Sequence, residues 1–203
     1  YTDKSENSRK GQKVKLKKIL HIITGLNDGG AENSLYKLLL STKNDVENVV
    51  ICFLNKGKYG HLIENENIKI FYLNQKRRRL KISFVFKLYS IIKKENPYAV
   101  QTWMYHADLL GGLLSKICGV KNIFWNIRSG EYGKDETSFS TKITIYLSAF
   151  FSYLIPSKII INSKQSINIH RKYLYKNNFK LIYNGIDTNK FKSNSQNRNS
   201  LRL

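Results

Sequence analysis

Five short stretches carry the side chains best suited to chemistry. The first, Gly25-Leu26-Asn27-Asp28-Gly29-Gly30-Ala31-Glu32, sets paired glycines ahead of a run with helical spacing. Glycines there let the backbone come close to a ligand, and free N–H groups at a helix start receive phosphate. The alternative is a tight turn in which Glu32 complements the helix dipole. The stretch is neither GxGxxG nor a P-loop, since no GK[ST] follows. The second, Trp103-Met104-Tyr105-His106-Ala107-Asp108, offers an imidazole able to donate a hydrogen bond or move a proton near neutral pH. A lone histidine at a helix start also serves as a structural cap, and the aromatics beside it are core or substrate platform. The third, Ile127-Arg128-Ser129-Gly130-Glu131-Tyr132, carries a guanidinium whose fork clamps phosphate or carboxylate. The other reading is a solvated surface Arg, less attractive in a chain whose cations are mainly Lys. Asn162-Ser163 and Asn184-Gly185-Ile186-Asp187 close the set, with turn and cap chemistry as the alternative.

Elements must bring these stretches together. Lys18–Thr24 is a short β-branched apolar run, and the same grammar recurs at Asn48–Leu54, Ile68–Leu73, Tyr98–Trp103, Asn122–Ile127, Lys158–Asn162 and Phe179–Tyr183. Helical spacing falls between them at Ala31–Leu40, Lys81–Glu95, His106–Cys118, Phe139–Leu154 and Ser163–Tyr175. Strands of five to seven residues alternating with longer helices spell βαβ units, and strands apolar throughout spell a parallel sheet covered on both faces. The expected fold class is α/β: one Rossmann-like, doubly wound parallel sheet over residues 18–187, after a basic flexible leader (1–17) and before a polar linker (188–203). In such a sheet ligands bind beyond the carboxyl ends of the strands, where all five stretches lie.

Composition narrows the partners. Lys and Arg number 35 against 14 Asp and Glu, a net charge of +21 that favours anionic partners. The wealth of Asn and Ile points to a coding bias that inflates Lys without any function. Nucleic acid is not expected, because no groove-reading helix, aromatic sheet motif or zinc spacing accompanies the charge. Lys76-Arg77-Arg78-Arg79 feeds an apolar helix with lysines at both ends, which suits an anionic bilayer face; the alternative is a core helix with a solvated charge run. The longest apolar stretch, Phe139–Ile155, contains Lys142 and falls short of the ~20 residues that span a bilayer. Cys52 and Cys118 read as buried thiols of a reducing compartment. No GxSxG, HExxH, kinase signature or Asp-x-Asp is present, and no metal ligands are visible.

In order, KILHIITGLNDGGAENSLYKLL, VQTWMYHADLLGGLLSKICGV, IFWNIRSGEY, KIIINSKQSINIHRKY and LIYNGIDTNKF resemble the amino-terminal half of family 4 glycosyltransferases of the GT-B fold. The Trp-x-x-His-Ala-Asp and Asn-Ile-Arg segments are most similar to branches that build lipopolysaccharide, capsule or related surface glycans. The resemblance implies two facing Rossmann-like domains and retaining transfer of a sugar from a nucleotide sugar, without metal or other cofactor. It implies a glycan or polyprenyl-linked acceptor, held by this half at the cytoplasmic face of an anionic membrane. Gly29 and Gly30 would face the donor phosphates. Glu32, Trp103, His106, Asp108, Arg128 and Asn184 would belong to the acceptor cleft, with His106 as the catalytic candidate and Lys76–Arg79 touching the membrane. Where many relatives carry His-x-His, this chain has Gln101 and Trp103. A carboxyl-terminal domain with a Glu-seven-Glu motif is not in the sequence, and Ser200–Leu203 is similar to the opening of the next family segment. The expectation is a truncated enzyme, inactive alone; the second reading is a stand-alone module docking on membrane or partner.

Overall fold

Seven apolar runs become seven strands, all parallel. The computed structural model describes residues 16–75, 81–128 and 139–185. Its elements run β1 (Lys18–Ile23), α1 (Gly30–Thr42), β2 (Glu47–Cys52), α2 (Gly57–Asn65), β3 (Lys69–Tyr72), α3 (Ile82–Glu95), β4 (Ala99–Trp103), a π-helical turn (Ala107–Gly111) leading into α4 (Gly112–Ile117), β5 (Asn122–Ile127), α5 (Phe139–Phe151), β6 (Lys158–Ile161), α6 (Lys164–Lys172) and β7 (Phe179–Leu181). The strand order is β3-β2-β1-β4-β5-β6-β7.

That order has one reversal. From β1 the chain winds outward through β2 and β3, then α3 carries it back across the sheet to β4, which pairs with β1 on the other side. Right-handed crossovers therefore send α1 and α2 to one face and α3 to α6 to the other. The core divides accordingly. Leu35, Leu39, Tyr59 and Ile63 bury against Ile23, Val50 and Trp103, while Phe84, Leu88, Ile92, Leu114 and Ile145 bury against Leu20, Ile22, Val100, Ile123 and Ile159. Where β1 and β4 part, their exit loops leave toward opposite faces and open the crevice where such sheets bind ligands.

Three features depart from the sequence reading. Helix α2 was not expected: Gly57 and Gly60 mask it, and its buried side consists of little more than Tyr59 and Ile63. Gly57 sits at φ +58, where a side chain would strike the Leu26 carbonyl, and that close approach anchors the β1 exit loop to the start of α2. The helix after β4 begins as a π turn preceded by Met104 at φ +72. Helix α6 stops at Lys172, short of the expected Tyr175, because Leu174 takes φ +62 and Tyr175 N–H returns to the His170 carbonyl, a Schellman closure. Cys52 is buried, as expected; Cys118 is only half-buried at the end of α4.

Glycine placement yields a first prediction. At Gly112 a Cβ would press on the Trp125 indole nitrogen and on Ile155, whereas at Gly30 it meets nothing within 4 Å. Gly112→Ala should cost about 1–3 kcal/mol through overpacking, and Gly30→Ala should stay within about 0.5 kcal/mol of the parent. Urea denaturation of the two variants reads the contrast; equal losses would contradict the packing described.

Candidate functional site

The β1 exit loop is tied down at Leu26, whose carbonyl accepts the Tyr59 N–H at 2.9 Å. It delivers Gly29 to the N-cap of α1, a helix start without any side-chain cap. Gly30 is exposed and its Cα faces open space. The Glu32 carboxylate, however, folds back over Gly29. The dipole-complementing role of Glu32 is thus present, and an incoming phosphate at the first turn meets a carboxylate already there.

After β4 the chain is held from beneath. His170 Nδ1 lies 2.7 Å from the Ser166 carbonyl, so Nδ1 carries the proton and Nε2 accepts from the Tyr105 hydroxyl at 2.7 Å. Both rings are buried. This bond pins the β4 exit loop to α6 and leaves the next residue, His106, on the surface with no hydrogen bond to its ring among the described residues. Crowding by neighbours draws the His106 pKa below its ordinary value, so the imidazole is neutral at pH 7.

Arg128 leaves β5 toward the same edge. Its Nε donates to Asn126 Oδ1 at 3.2 Å, and one terminal nitrogen donates to Ser34 Oγ at 3.3 Å and to Asn184 Oδ1. The guanidinium also lies over the Trp103 ring, 5.5 Å from its centroid. Desolvation lowers its pKa, yet a guanidinium stays charged. Four segments distant in sequence meet at this one side chain: α1, the end of β4, the end of β5 and the chain leaving β7.

Two expected cleft residues are corrected by burial. Trp103 and Asp108 have no accessible surface, so neither lines a cleft. Trp103 is the floor under Arg128. Asp108 belongs to the π turn, where its carboxylate accepts the Thr102 hydroxyl at 2.6 Å and desolvation pushes its pKa up to about 7. Glu32 and Arg128 are partly exposed, and His106 and Asn184 are exposed. The expected membrane contacts Lys76, Arg77, Arg78 and Arg79 lie outside the described residues. Ser34 and Asn126 were missed as partners of Arg128. Asn126 had a signal, because residues two apart on a strand share a face. A depression among Lys43, Glu47 and Glu66 lies at the opposite edge of the sheet and carries no such constellation.

A Rossmann-like sheet with this switch-point edge is the fold of GT-B glycosyltransferases. The chain belongs to Glycosyltransferase Family 4, whose profile matches residues 28–190. It is 26% identical over 181 residues to the capsular polysaccharide biosynthesis glycosyltransferase CapH of Staphylococcus aureus, covering 87% of this chain and 49% of CapH. Its backbone superposes on Anabaena Alr3699/HepE in complex with UDP with a TM-score of 0.72 at 20% identity, covering 91% of this chain and 49% of that one. The lipopolysaccharide outer core galactosyltransferase WaaB gives a TM-score of 0.60 at 17% identity, with 83% and 46% covered. The chain spans about half the length of the curated relative it matches.

Proposed function

We propose that this chain is the acceptor-binding half of a retaining glycosyltransferase that moves a sugar from a nucleotide sugar to a lipid-linked or surface glycan, as in capsule or lipopolysaccharide assembly. The observation that carries the reading is the convergence on Arg128 at the switch-point edge, with exposed His106 and open Gly30 on the loops either side. The capsular role named for CapH, the outer-core role named for WaaB and the UDP bound to HepE support the substrate classes. The reaction proceeds without a metal, at the cytoplasmic face of the cell membrane where a polyprenyl-linked acceptor is presented.

Each residue then has a task. Arg128 pairs with anionic oxygen on the acceptor, and neutral His106 accepts a hydrogen bond from its hydroxyl, orienting it for attack. The N–H groups from Gly30 onward meet the donor phosphates once Glu32 swings aside. Stabilising the leaving diphosphate requires cationic groups from a second domain.

Two outcomes are expected. The chain alone, given UDP-sugars and membrane acceptors, transfers no detectable sugar; transfer would overturn its reading as one half. A short-chain prenyl diphosphate saccharide binds the chain in NMR titration, and Arg128→Ala weakens binding at least about tenfold, the size of a lost charge-assisted hydrogen bond. Absence of binding by the parent would remove the acceptor assignment.

A further inference from the structure

The buried residues of α6 are Ser166 and His170, both polar, where a helix lying on a sheet ordinarily turns apolar side chains inward. His170 is 1% exposed; its ring stacks on Tyr105 with centroids 5.8 Å apart and meets Tyr175 edge-on at 5.0 Å. A leucine would fill such a place without the cost of drying an imidazole. What the imidazole adds is a lone pair. With Nδ1 donating to the Ser166 carbonyl, Nε2 is left to accept from the Tyr105 hydroxyl.

The loop that makes this bond is strained. Met104, at φ +72, turns the chain out of β4 in the left-handed region, which is unfavourable for any residue with a side chain. The helix that follows opens as a π turn, Ala107–Gly111, a rare form found mostly at functional sites. Three ties hold the loop from close by. Met104 N–H donates to the Asn126 carbonyl at 3.2 Å, Asp108 N–H to the Met104 carbonyl at 2.9 Å, and the Thr102 hydroxyl to the Asp108 carboxylate at 2.6 Å. These run to β4, β5 or the turn itself, whereas the Tyr105 bond reaches a helix 65 residues further on. Exposed His106 stands between Tyr105 and the π turn.

We propose that His170 and Tyr105 are positioning residues: the buried imidazole of α6 holds the β4 exit loop in its strained form and so fixes the direction in which His106 projects. The inference rests on the reading of His106 as the hydrogen-bond partner of the acceptor, and supplies the device that aims its ring. Without the bond, Met104 is free to return to negative φ and the π turn to rewind into α. Removing the extra residue of the π turn rotates what precedes it by about 100°, the angle of one helical residue. His106 would then leave the direction it now takes at the edge that carries Arg128. Bulk at positions 105 and 170 does not serve this purpose, since packing alone does not oppose the return of Met104.

NMR of the 203-residue chain tests the proposal without any ligand. Nitrogen–proton spectra of the parent find the His170 proton on Nδ1; a proton on Nε2 overturns the proposal. Desolvation holds the His106 pKa of the parent below the ordinary 6.5. In Tyr105→Phe and His170→Leu the loop relaxes and His106 titrates closer to 6.5. His170→Gln, whose side-chain oxygen can accept from Tyr105 as Nε2 does, restores the parental titration. A role confined to packing gives the reverse ranking, with Phe and Leu tolerated and Gln not. Binding of the short-chain prenyl diphosphate saccharide follows the same order. Tyr105→Phe and His170→Leu weaken it about tenfold, the size of one lost hydrogen bond, and His170→Gln does not. An unchanged His106 titration in the folded Phe and Leu variants, or no restoration by Gln, overturns the proposal. A parent without affinity for the saccharide removes the acceptor reading, while the aiming of His106 is still decided by its titration.

Discussion

Asp108→Asn is expected to stabilise the domain at pH 8 by about 2–4 kcal/mol and to flatten its stability between pH 4 and 7. Desolvation in the π turn raises the carboxyl from 3.8 to about 7, against the smaller opposing pull of the Thr102 hydroxyl and the Asn126 amide. Between those two values the folded chain holds a proton that the unfolded chain has released. Stability therefore falls as pH rises through that window and levels off above it. Each pH unit of the shift corresponds to about 1.4 kcal/mol, which sets the size of the gain. Asparagine keeps the oxygen that accepts from Thr102, at 2.6 Å in the parent, and carries no charge to bury. Urea denaturation at intervals from pH 4 to 8 measures it. A variant as pH-dependent as its parent would show that Asp108 stays ionised.

Glu95→Ala should act oppositely, at the other edge of the sheet. Glu95 closes α3, is 4% exposed, and accepts from Lys18 at 2.9 Å and Lys69 at 2.6 Å, the first residues of β1 and β3. One carboxylate, at the end of the helix that leads from β3 to β4, thus fastens the starts of two strands that do not touch. Burial pushes its pKa up, but the hydrogen bonds from Lys69 and Lys18 outweigh this and the net direction is down. Its contribution is therefore full above the unfolded value of 4.5 and is lost as acid protonates the folded carboxylate. Breaking a fully buried pair costs about 3–5 kcal/mol; with both lysines partly hydrated, about 2–3 kcal/mol is expected, or a melting temperature lower by roughly 4–12 °C. Calorimetry at pH 7 decides it, and a shift under a degree would reduce Glu95 to an ordinary surface pair.

The strands were legible because a strand buried on both faces can be apolar along its whole length, and a run such as NVVICFL admits few other readings. Helix α2 was not, since two glycines and two buried side chains leave no stripe to detect. For the site, the exit loops were legible but the roles within them were not. A motif such as Trp-x-x-His-Ala-Asp cannot say which members face out: the chain turns at Met104, so His106 emerges while Trp103 and Asp108 close up beneath it. The Arg128–Asn184 contact joins residues 56 apart across two intervening strands, beyond any local pattern. The apolar period of α5 was visible, but hydrophobicity alone does not distinguish a core face from an exposed one. Only the inward Thr144, Ser148 and Ala149 reveal that its large apolar side chains point outward.

Asn184 belongs to the stretch that carries the chain away from the last strand, and its amide oxygen sits on the same guanidinium nitrogen that Ser34 uses. An anion arriving at Arg128 competes with that oxygen for the guanidinium. Cargo and tether contend for a single cation.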